Sequence, residues 1–315
     1  MNKIPCVDLA DFLSSNSVKK KTFIKTLGNA FDSIGFVILK GHYLEASVTE
    51  ALYEQIKLFF SLPEKTKKKY EIEGMAGQRG YTSFGKESAK GRKEADLKEF
   101  WHFGQYHTPP APITYPDNVW VEELPAFNRI GKEVFQLLEK TGTTVLQAIA
   151  LYLQLDEGFF DSHVTHGNSI LRPIHYPPIR KAPENALRAA PHGDINLITL
   201  LMGAHGKGLQ VQTRDNQWID AIAQEGELII NLGDMMARLT NNRLKSTVHQ
   251  VVNPPRDSWG ESRYSIPFFM HPNPEMPLNC LKNCISDEHP KAFPDCTAGE
   301  FLDERLIELG LKKTS

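Results

Sequence analysis

Residues 171–270 limit the possible folds more than any other part of this sequence. Seven short runs rich in β-branched and apolar residues follow one another there, with turn-forming residues between them: LRPIHY, NLITLLM, GLQVQT, QWIDA, ELIINLG, VHQVVN and SRYSIPFFM. This rhythm is typical of an antiparallel sandwich or barrel. The sequence therefore predicts a β-core over residues 168–273.

The preceding part of the chain, residues 1–167, is predicted to be mainly helical. The strand-like runs IPCVDL and GFVILKG flank an amphipathic segment from Lys19 to Ser33. Apolar residues recur at helical spacing over residues 44–61 and from Ala126 to Leu155, where Gly142 predicts a break or a kink. We expect a single α+β unit of 315 residues whose C-terminal part, 274–315, is a tail with a helix.

Composition and charge exclude several classes of function. No run of eighteen apolar residues is present, and the N-terminus lacks the layout of a signal peptide, so we expect a cytoplasmic protein. The net charge of −2 provides no general basic field for nucleic acid. Four cysteines in a chain of this length fit a reducing compartment better than a disulfide framework.

A late cluster of residues could in principle hold zinc. It comprises Cys280, Cys284, His289 and Cys296. Its spacing is irregular and lacks a CxxC knuckle, which argues against a structural zinc site.

A stronger candidate for a metal site begins with His192 and Asp194. Residues two apart on an extended strand point to the same side, so this imidazole and this carboxylate can converge on one ion. A third ligand should come from a neighbouring strand. The downstream candidates are His205, His249, His271 and His289. His249 is preferred because the run STVHQVVNPP places it in a strand, whereas His205 lies in a turn-like sequence and His271 lies beyond the last strand.

Two histidines and one carboxylate on one side of a metal leave its other side open, as in the facial triad of non-haem Fe(II) oxygenases. A second signal supports this interpretation. Arg263 and Ser265 share one face of a strand, where the arginine fork and the hydroxyl group can bind a carboxylate. Such a ligand would compensate for burying the arginine charge, although an acidic side chain of the protein could do the same.

Together these residues resemble the Fe(II)- and 2-oxoglutarate-dependent dioxygenases, specifically the isopenicillin N synthase-like branch. The resemblance covers nearly the whole chain. IPCVDLADF resembles the opening of that branch, LRPIHYPP its strand ending in Tyr-Pro, and INLGDMMARLTNNRLKSTVHQVVNP its hairpin before the distal histidine. GYTSFGKESAKGRKEADLKEFWHFG and TAGEFLDERLIELGL are similar to segments of bacterial members.

The resemblance implies a double-stranded β-helix, or jelly roll, with N-terminal and flanking helices packed on it. It implies that His192, Asp194 and His249 bind Fe(II), and that Arg263 and Ser265 hold the distal carboxylate of 2-oxoglutarate, with a hydrogen bond from Tyr176. The implied reaction uses O2 and converts 2-oxoglutarate to succinate and CO2. It couples this conversion to hydroxylation, desaturation or cyclisation of a small molecule.

Two residues depart from the family pattern. Gly193 stands between the first two ligands, where many members have a larger residue. Ile174 replaces an asparagine that plant relatives often place two residues before the tyrosine, so a polar substrate contact is in doubt.

Alternative functions remain open from the sequence. An iron oxidase of the isopenicillin N synthase type would use Arg263 and Ser265 for the carboxylate of its own substrate. A zinc hydrolase or a non-catalytic ligand sensor could use the same three ligands. Tyr176 could simply pack in the core.

The substrate and the oligomeric state are not indicated by the sequence. We expect the substrate pocket to be formed by the N-terminal helices, the loops around residues 78–105 and the C-terminal tail. Four aromatic residues could line that pocket or could belong to an ordinary core: Tyr81, Phe100, Trp101 and Phe269.

Overall fold

The structure, a computed structural model, describes residues 3–72, 78–86, 96–106, 115–180, 186–205 and 208–308. Part of the quoted segment GYTSFGKESAKGRKEADLKEFWHFG and the end of the C-terminal tail lie outside these residues.

The strands are β1 (Cys6–Asp8), β2 (Phe36–Lys40), β3 (Gly80–Thr82), β4 (Glu99–Gly104), β5 (Ile170–Leu171), β6 (Ile174–Tyr176), β7 (Ala189–His192), β8 (Ile198–His205), β9 (Leu209–Gln212), β10 (Trp218–Asp220), β11 (Leu228–Leu232), β12 (His249–Val251) and β13 (Arg263–Met270). The α-helices are α1 (Leu9–Leu13), α2 (Ser17–Ser33), α3 (Ala46–Ser61), α4 (Glu64–Lys68), α5 (Pro125–Tyr152), α6 (Asp161–Val164), α7 (Asp234–Leu239) and α8 (Ala298–Glu308).

These strands form two sheets. The large sheet has the order β1-β2-β11-β8-β13-β5-β4-β3, with β6 pairing with both β13 and β4, and the small sheet has the order β10-β9-β12-β7. Phe36 and Ile229 of the large sheet share a buried apolar cluster with Val211 and Val251 of the small sheet, so the two sheets pack face to face. Each of the seven predicted strand runs forms a strand or a strand pair, which confirms the predicted β-sandwich.

The large sheet also recruits strands from the N-terminal part of the chain. β1 and β2 extend it at one edge, while β3 and β4 extend it at the other. The sequence patterns predicted β1 and β2 but not β3 and β4, which are bounded by polar residues. β3 pairs with β4, and β4 finds its other partners, β5 and β6, far along the chain. The sheet therefore crosses the predicted boundary at residue 167, and the division of the chain into regions stays a prediction.

The predicted interruption at Gly142 is not present. Helix α5 runs without a break from Pro125 to Tyr152. A side chain at Gly142 would have its Cβ 2.4 Å from Sδ of Met270 and 3.3 Å from Cδ1 of Leu200. The glycine therefore permits the helix to lie close against β13 and β8, and this packing offsets the low helix propensity of glycine.

The two other predicted helices are confirmed as α2 and α3. The side chain of Asn16 caps α2 by accepting hydrogen bonds from the backbone N–H groups of Val18 and Lys19. Helix α3 directs Phe59 into an aromatic cluster with Trp101 of β4 and Phe127 of α5. This cluster packs the helices against the large sheet. No helix in the described part of the chain has the length and apolar character needed to cross a membrane.

A buried polar network supports the same sheet from its helical side. The Glu99 carboxylate lies 2.7 Å from Nζ of Lys67 and 2.7 Å from Nδ1 of His175, and it accepts a hydrogen bond from the Tyr81 hydroxyl. Nε2 of His175 lies 2.9 Å from Oγ of Ser262. The network thus joins α4, β3, β4, β6 and the residue before β13, so it fixes the relative positions of the elements that carry Tyr176 and Arg263.

Electrostatics keep Glu99 ionised in this network. Burial alone would raise the pKa of Glu99, but the hydrogen bonds from His175, Lys67 and Tyr81 lower that pKa below its ordinary value. The ionised Glu99 carboxylate therefore stabilises the folded state at every pH at which Glu99 is also ionised in the unfolded chain.

Replacing Glu99 by Gln should lower the free energy of unfolding by about 3 kcal/mol at neutral pH, because the buried Lys67 charge would lose its partner. The folded-state pKa lies below the ordinary value of 4.5, so this contribution is complete above that pH and is lost as the pH falls through the folded-state pKa. Urea unfolding of wild type and of Glu99→Gln, at neutral pH and below pH 4.5, measures the difference between their free energies of unfolding. This difference should become smaller at the lower pH.

The matched control is Glu64→Gln. Glu64 is paired with Lys68 on the exposed side of α4, so this change should leave the free energy of unfolding nearly unchanged. If Glu99→Gln lowered the free energy of unfolding by the same amount at both pH values, the role of the ionised carboxylate would be contradicted.

Candidate functional site

His192, Asp194 and His249 come together at one end of the small sheet. His192 is the last residue of β7 and His249 the first of β12, and the two are directly opposite each other in the antiparallel pair. Each of the three residues offers a ligand atom, and these atoms all lie within 4.8 Å of one another. His192 is open to solvent, whereas Asp194 and His249 are buried. In the described residues this is the one group of three or more His, Cys, Asp or Glu side chains arranged to hold a metal ion.

The backbone orients both imidazole rings. Nδ1 of His192 lies 2.7 Å from the carbonyl oxygen of Ala190, and Nδ1 of His249 lies 3.2 Å from that of Thr247. A carbonyl oxygen can only accept a hydrogen bond, so each Nδ1 carries the proton. Each Nε2 therefore keeps a free lone pair that can bind a metal.

The Asp194 carboxylate is held in a similar way. Its Oδ2 accepts hydrogen bonds from the Thr199 hydroxyl at 2.6 Å and from Nδ2 of Asn231 at 2.7 Å. Thr199 itself accepts a hydrogen bond from Asn196, so its own proton is directed to Asp194. Oδ1 lies 3.8 Å from Nε2 of His249 and remains available as a ligand.

The protonation states of the group suit a cation. Although His192 is exposed as a residue, the protein packed around its ring desolvates it, and this effect, followed by the charge of His249, lowers the pKa of His192, so the ring is neutral at neutral pH. Burial alone would raise the pKa of Asp194, but the two histidines and the hydrogen bonds from Asn231 and Thr199 lower it overall. An ionised carboxylate and two imidazoles form a donor set that binds Fe(II) or other divalent transition metals.

Gly193 has no side chain, so neighbouring residues can lie close to the backbone between His192 and Asp194. A Cβ atom at Gly193 would lie 3.3 Å from Oγ of Ser246 and 3.4 Å from Oδ1 of Asp234. A larger residue would crowd the Ser246 hydroxyl and come into contact with the Asp234 carboxylate. The glycine that departs from the family pattern thus allows Ser246 and Asp234 to pack against the connection between the first two candidate ligands.

Arg263 and Ser265 lie on β13, where Arg263 is paired with Tyr176 and Ser265 with Ile174. Arg263 and Ser265 are buried. The guanidinium carbon of Arg263 lies 5.0 Å from the centre of the Tyr176 ring. Its Nε and Nη1 atoms have no hydrogen-bond partner, and no described acidic side chain forms an ion pair with it. The alternative in which a protein carboxylate neutralises Arg263 therefore finds no support in the described residues.

The arginine and the metal-binding group face the same interior. Alternate residues of a strand share a face, so Arg263, Ser265 and Phe269 point the same way. Phe269 is paired with Thr199, whose hydroxyl holds Asp194. Arg263 thus points to the side of the large sheet on which Asp194 is anchored.

A second buried arginine, Arg188, stands beside Arg263. Its guanidinium carbon lies 5.8 Å from the Tyr176 ring, its Nη2 donates to the carbonyl oxygen of Glu261 at 3.3 Å, and its Nε has no partner. Burial and the charge of Arg263 together lower the pKa of Arg188. Two neighbouring cations of this kind favour an anion with more than one negative charge.

The predicted aromatic residues divide into two groups. Tyr81 and Trp101 belong to the main core. Phe100 shares a separate cluster with Ile174 and Tyr176, and Phe269 lies opposite Thr199, so both can line the cavity. Tyr176 is buried beneath Arg263, and its predicted hydrogen bond to a ligand stays a prediction.

The late cysteine cluster does not form a metal site. All four cysteines of the chain are free thiols. Cys284 and Cys296 pack against the main apolar core, and Cys280 donates to the carbonyl oxygen of Arg238. Exposed His289 does not join them in a group able to hold an ion among the described residues.

Several site residues were missed from the sequence. Thr199 and Asn231 are directly opposite each other on β8 and β11, and both hold Asp194. Each is a polar residue within an apolar run, NLITLLM or ELIINLG. A buried polar side chain requires a hydrogen-bond partner, so the presence of these two polar residues within apolar strands was the sequence signal that could have identified them.

Comparisons with known proteins agree with this geometry. Residues 4–123 match the family model described as the N-terminal region of non-haem dioxygenases in morphine synthesis. Residues 167–272 match the 2OG-Fe(II) oxygenase superfamily.

Individual proteins resemble the chain over almost its full length. A crystal structure of a protein assigned to the 2OG-Fe(II) oxygenase family from Caulobacter crescentus has 43% identity and a TM-score of 0.89, covering 98% of this chain and 100% of its own. A Neurospora crassa protein crystallised in complex with alpha-KG and thymine has 29% identity and a TM-score of 0.84, with 96% of each chain covered. Proline hydroxylase buaE of Petromyces alliaceus has 30% identity, covering 96% of this chain and 98% of its own. These similarities confirm the predicted double-stranded β-helix.

Proposed function

This chain belongs to the 2OG-Fe(II) oxygenase superfamily and is an Fe(II)- and 2-oxoglutarate-dependent oxygenase; from that premise we propose that it couples oxidative decarboxylation of 2-oxoglutarate to the oxidation of a small molecule. In the hydroxylation form of this reaction, 2-oxoglutarate, O2 and a C–H bond give succinate, CO2 and a C–OH group. The substrate is a small molecule, in keeping with the proline and thymine that appear in the descriptions of two relatives.

The proposal assigns the metal to the three converging side chains. Nε2 of His192, Nε2 of His249 and Oδ1 of Asp194 would hold Fe(II), which supplies O2 activation when it is bound. Thr199 and Asn231 would keep the other carboxylate oxygen of Asp194 turned away from the ion. The fit rests on the free lone pairs of the two histidines and on the ionised carboxylate described above.

The observation that carries the proposal is the buried Arg263 with two unpartnered nitrogen atoms. In the proposed complex Arg263 and Ser265 bind the distal carboxylate of 2-oxoglutarate, and the Tyr176 hydroxyl group adds a hydrogen bond. Arg188 adds positive charge for the same dianion. A carboxylate that forms two parallel hydrogen bonds with the guanidinium, through Nη1 and Nη2 or through Nε and Nη2, would satisfy one of the two nitrogen atoms that the protein leaves unsatisfied.

The direct test measures succinate after the purified protein is loaded with Fe(II) and given 2-oxoglutarate and O2. We expect slow succinate release that requires all three, from decarboxylation of 2-oxoglutarate that is not coupled to oxidation of the primary substrate. Protein loaded with Zn(II) should release none. Oxygen consumption that proceeds without 2-oxoglutarate would instead indicate an oxidase that takes all its electrons from the substrate.

Replacing His192 by Ala should reduce succinate release at least about 100-fold, because one of three metal ligands is lost. The solvent-facing position of His192 predicts little change in the free energy of unfolding of the metal-free protein. Succinate assays and urea unfolding measure both effects. His289→Ala, which removes an exposed histidine outside the site, is the control and should behave as wild type. An unfolded His192→Ala protein would point to a structural role.

Replacing Arg263 by Leu should raise the KM for 2-oxoglutarate about 100-fold, because a charge-assisted bidentate contact contributes about 3 kcal/mol. Succinate release as a function of 2-oxoglutarate concentration gives this value. Arg256→Leu removes an exposed arginine and should leave the KM unchanged. Equal KM values for Arg263→Leu and wild type would exclude the assigned role.

A further inference from the structure

The second buried arginine, Arg188, lies at the end of β7 that is remote from the metal-binding group. It directly precedes Ala189, the first residue of β7, whereas His192 is the last residue of that strand. Four residues of extended chain span roughly 13 Å, so the backbone of Arg188 is well separated from that of His192. Arg188 is buried, and no described acidic side chain forms an ion pair with it. Its charge therefore needs a partner from outside the protein.

Strand β13 places Arg188 on the same side of the site. Phe269, near the end of β13, is paired with Thr199, whose hydroxyl anchors the carboxylate ligand of the metal group. Arg263 begins β13, and Glu261 precedes it by two residues. The carbonyl oxygen of Glu261 accepts a hydrogen bond from Nη2 of Arg188 at 3.3 Å. Arg188 therefore makes this contact beyond Arg263, on the side that is farther from the metal ligands.

The two guanidinium groups lie around one aromatic ring. Their central carbons are 5.0 Å (Arg263) and 5.8 Å (Arg188) from the centre of the Tyr176 ring. Nε of Arg188 and both Nε and Nη1 of Arg263 are buried without a hydrogen-bond partner. Two buried cations so close together repel each other, and an anion held by both would relieve that repulsion.

This order has a consequence for the length of the acid that fits. A 2-oxo acid that binds the metal with one end and Arg263 with the other has Arg188 beyond its distal carboxylate. A chain with one more methylene group would push that carboxylate against the Arg188 guanidinium. A chain of the same length without the carboxylate would leave the two cations without an anion to share.

We propose that Arg188 closes the far end of the 2-oxoglutarate site and thereby selects a 2-oxo acid of five carbons that ends in a carboxylate. Arg263 and Ser265 hold the distal carboxylate, and Arg188 limits how far from the metal that carboxylate can lie. This inference rests on the proposed oxygenase function. It makes Arg188 a residue that determines the specificity for the co-substrate, through both its volume and its charge.

Binding can be measured without turnover in protein loaded with Zn(II), which has no redox chemistry. Three acids serve as probes: 2-oxoglutarate, 2-oxoadipate with one more methylene group, and 2-oxovalerate, which has five carbons but no terminal carboxylate. The dependence of Tm on acid concentration gives the affinity for each. For wild type we expect 2-oxoglutarate to bind at least about 10-fold more tightly than either of the others, because one methylene group or one charged contact contributes that much.

Arg188→Ala removes both the volume and the charge, so the ratio of affinities should shift toward 2-oxoadipate by at least about 10-fold. Arg188→Met keeps most of the volume without the charge. It should bind 2-oxoglutarate about 10-fold more weakly and still exclude 2-oxoadipate, and it serves if Arg188→Ala does not fold. Arg214→Ala changes an arginine whose side chain is 63% exposed and should keep the wild-type affinities.

Three results would overturn the proposal. The first is equal affinity of wild type for 2-oxoglutarate and 2-oxoadipate. The second is an Arg188→Ala protein that binds both diacids more weakly by the same factor, which is the result expected of a purely structural residue. The third is an Arg188→Met protein that binds 2-oxoglutarate as tightly as wild type does.

Turnover separates this proposal from the one on which it rests. With Fe(II), O2 and ascorbate, 2-oxoglutarate should give succinate and CO2, and 2-oxoadipate should give glutarate and CO2. One atom of O2 enters the new carboxylate, and two electrons from ascorbate with two protons reduce the other atom to water. The kcat/KM for 2-oxoadipate relative to 2-oxoglutarate should rise at least about 10-fold in Arg188→Ala.

The two possible failures are distinct. Absence of succinate from wild type would overturn the proposed function itself. Succinate release by wild type, together with the same ratio of kcat/KM values in Arg188→Ala, would leave the oxygenase in place and overturn only the role of Arg188.

Discussion

The pairing of His192 with His249 across β7 and β12 is the constraint on which the site depends. Directly opposite residues on antiparallel strands hold their side chains about 5 Å apart, so two short strands are enough to bring two imidazoles to one point. The chain then turns from the small sheet toward the large one and presents Asp194, which β8 and β11 anchor through Thr199 and Asn231. The site is therefore produced by the junction of the two sheets.

Most of the strands and the grouping of His192, Asp194 and His249 could be predicted from local sequence patterns, although Asp194 follows the end of β7 and does not share a strand with His192 as the alternation predicted. His192 and Asp194 are two residues apart, as are Arg263 and Ser265, and His249 lies in an evident strand run. The family resemblance then supplied roles that spacing alone left open. β4 was missed because β5 and β6, with which it pairs, are distant in sequence, and β3 was missed with it because β3 pairs with β4. The continuity of α5 was missed because it depends on packing of Gly142 against Met270.

Some contacts between buried polar residues could not be predicted for a related reason. Nε of Arg172 donates a hydrogen bond to Nε2 of His102, but the two residues come from separate segments, and neither lies in a pattern that encodes chemistry. Only the order of strands in the large sheet brings β4, β5 and the end of β13 together. The sequence indicates which residues are polar, but the strand order of the sheet determines which of them lie close together inside the protein.

The two faces of the strand pair β6–β13 have different roles. Tyr176 and Arg263 face the cavity, while their neighbours His175 and Tyr264 stack on each other on the side of Glu99. A shift of one residue would exchange the two faces, placing an arginine among the helices and an aromatic ring in the cavity. Natural variation in this pair is thus restricted from both sides, because neither face can take over the role of the other.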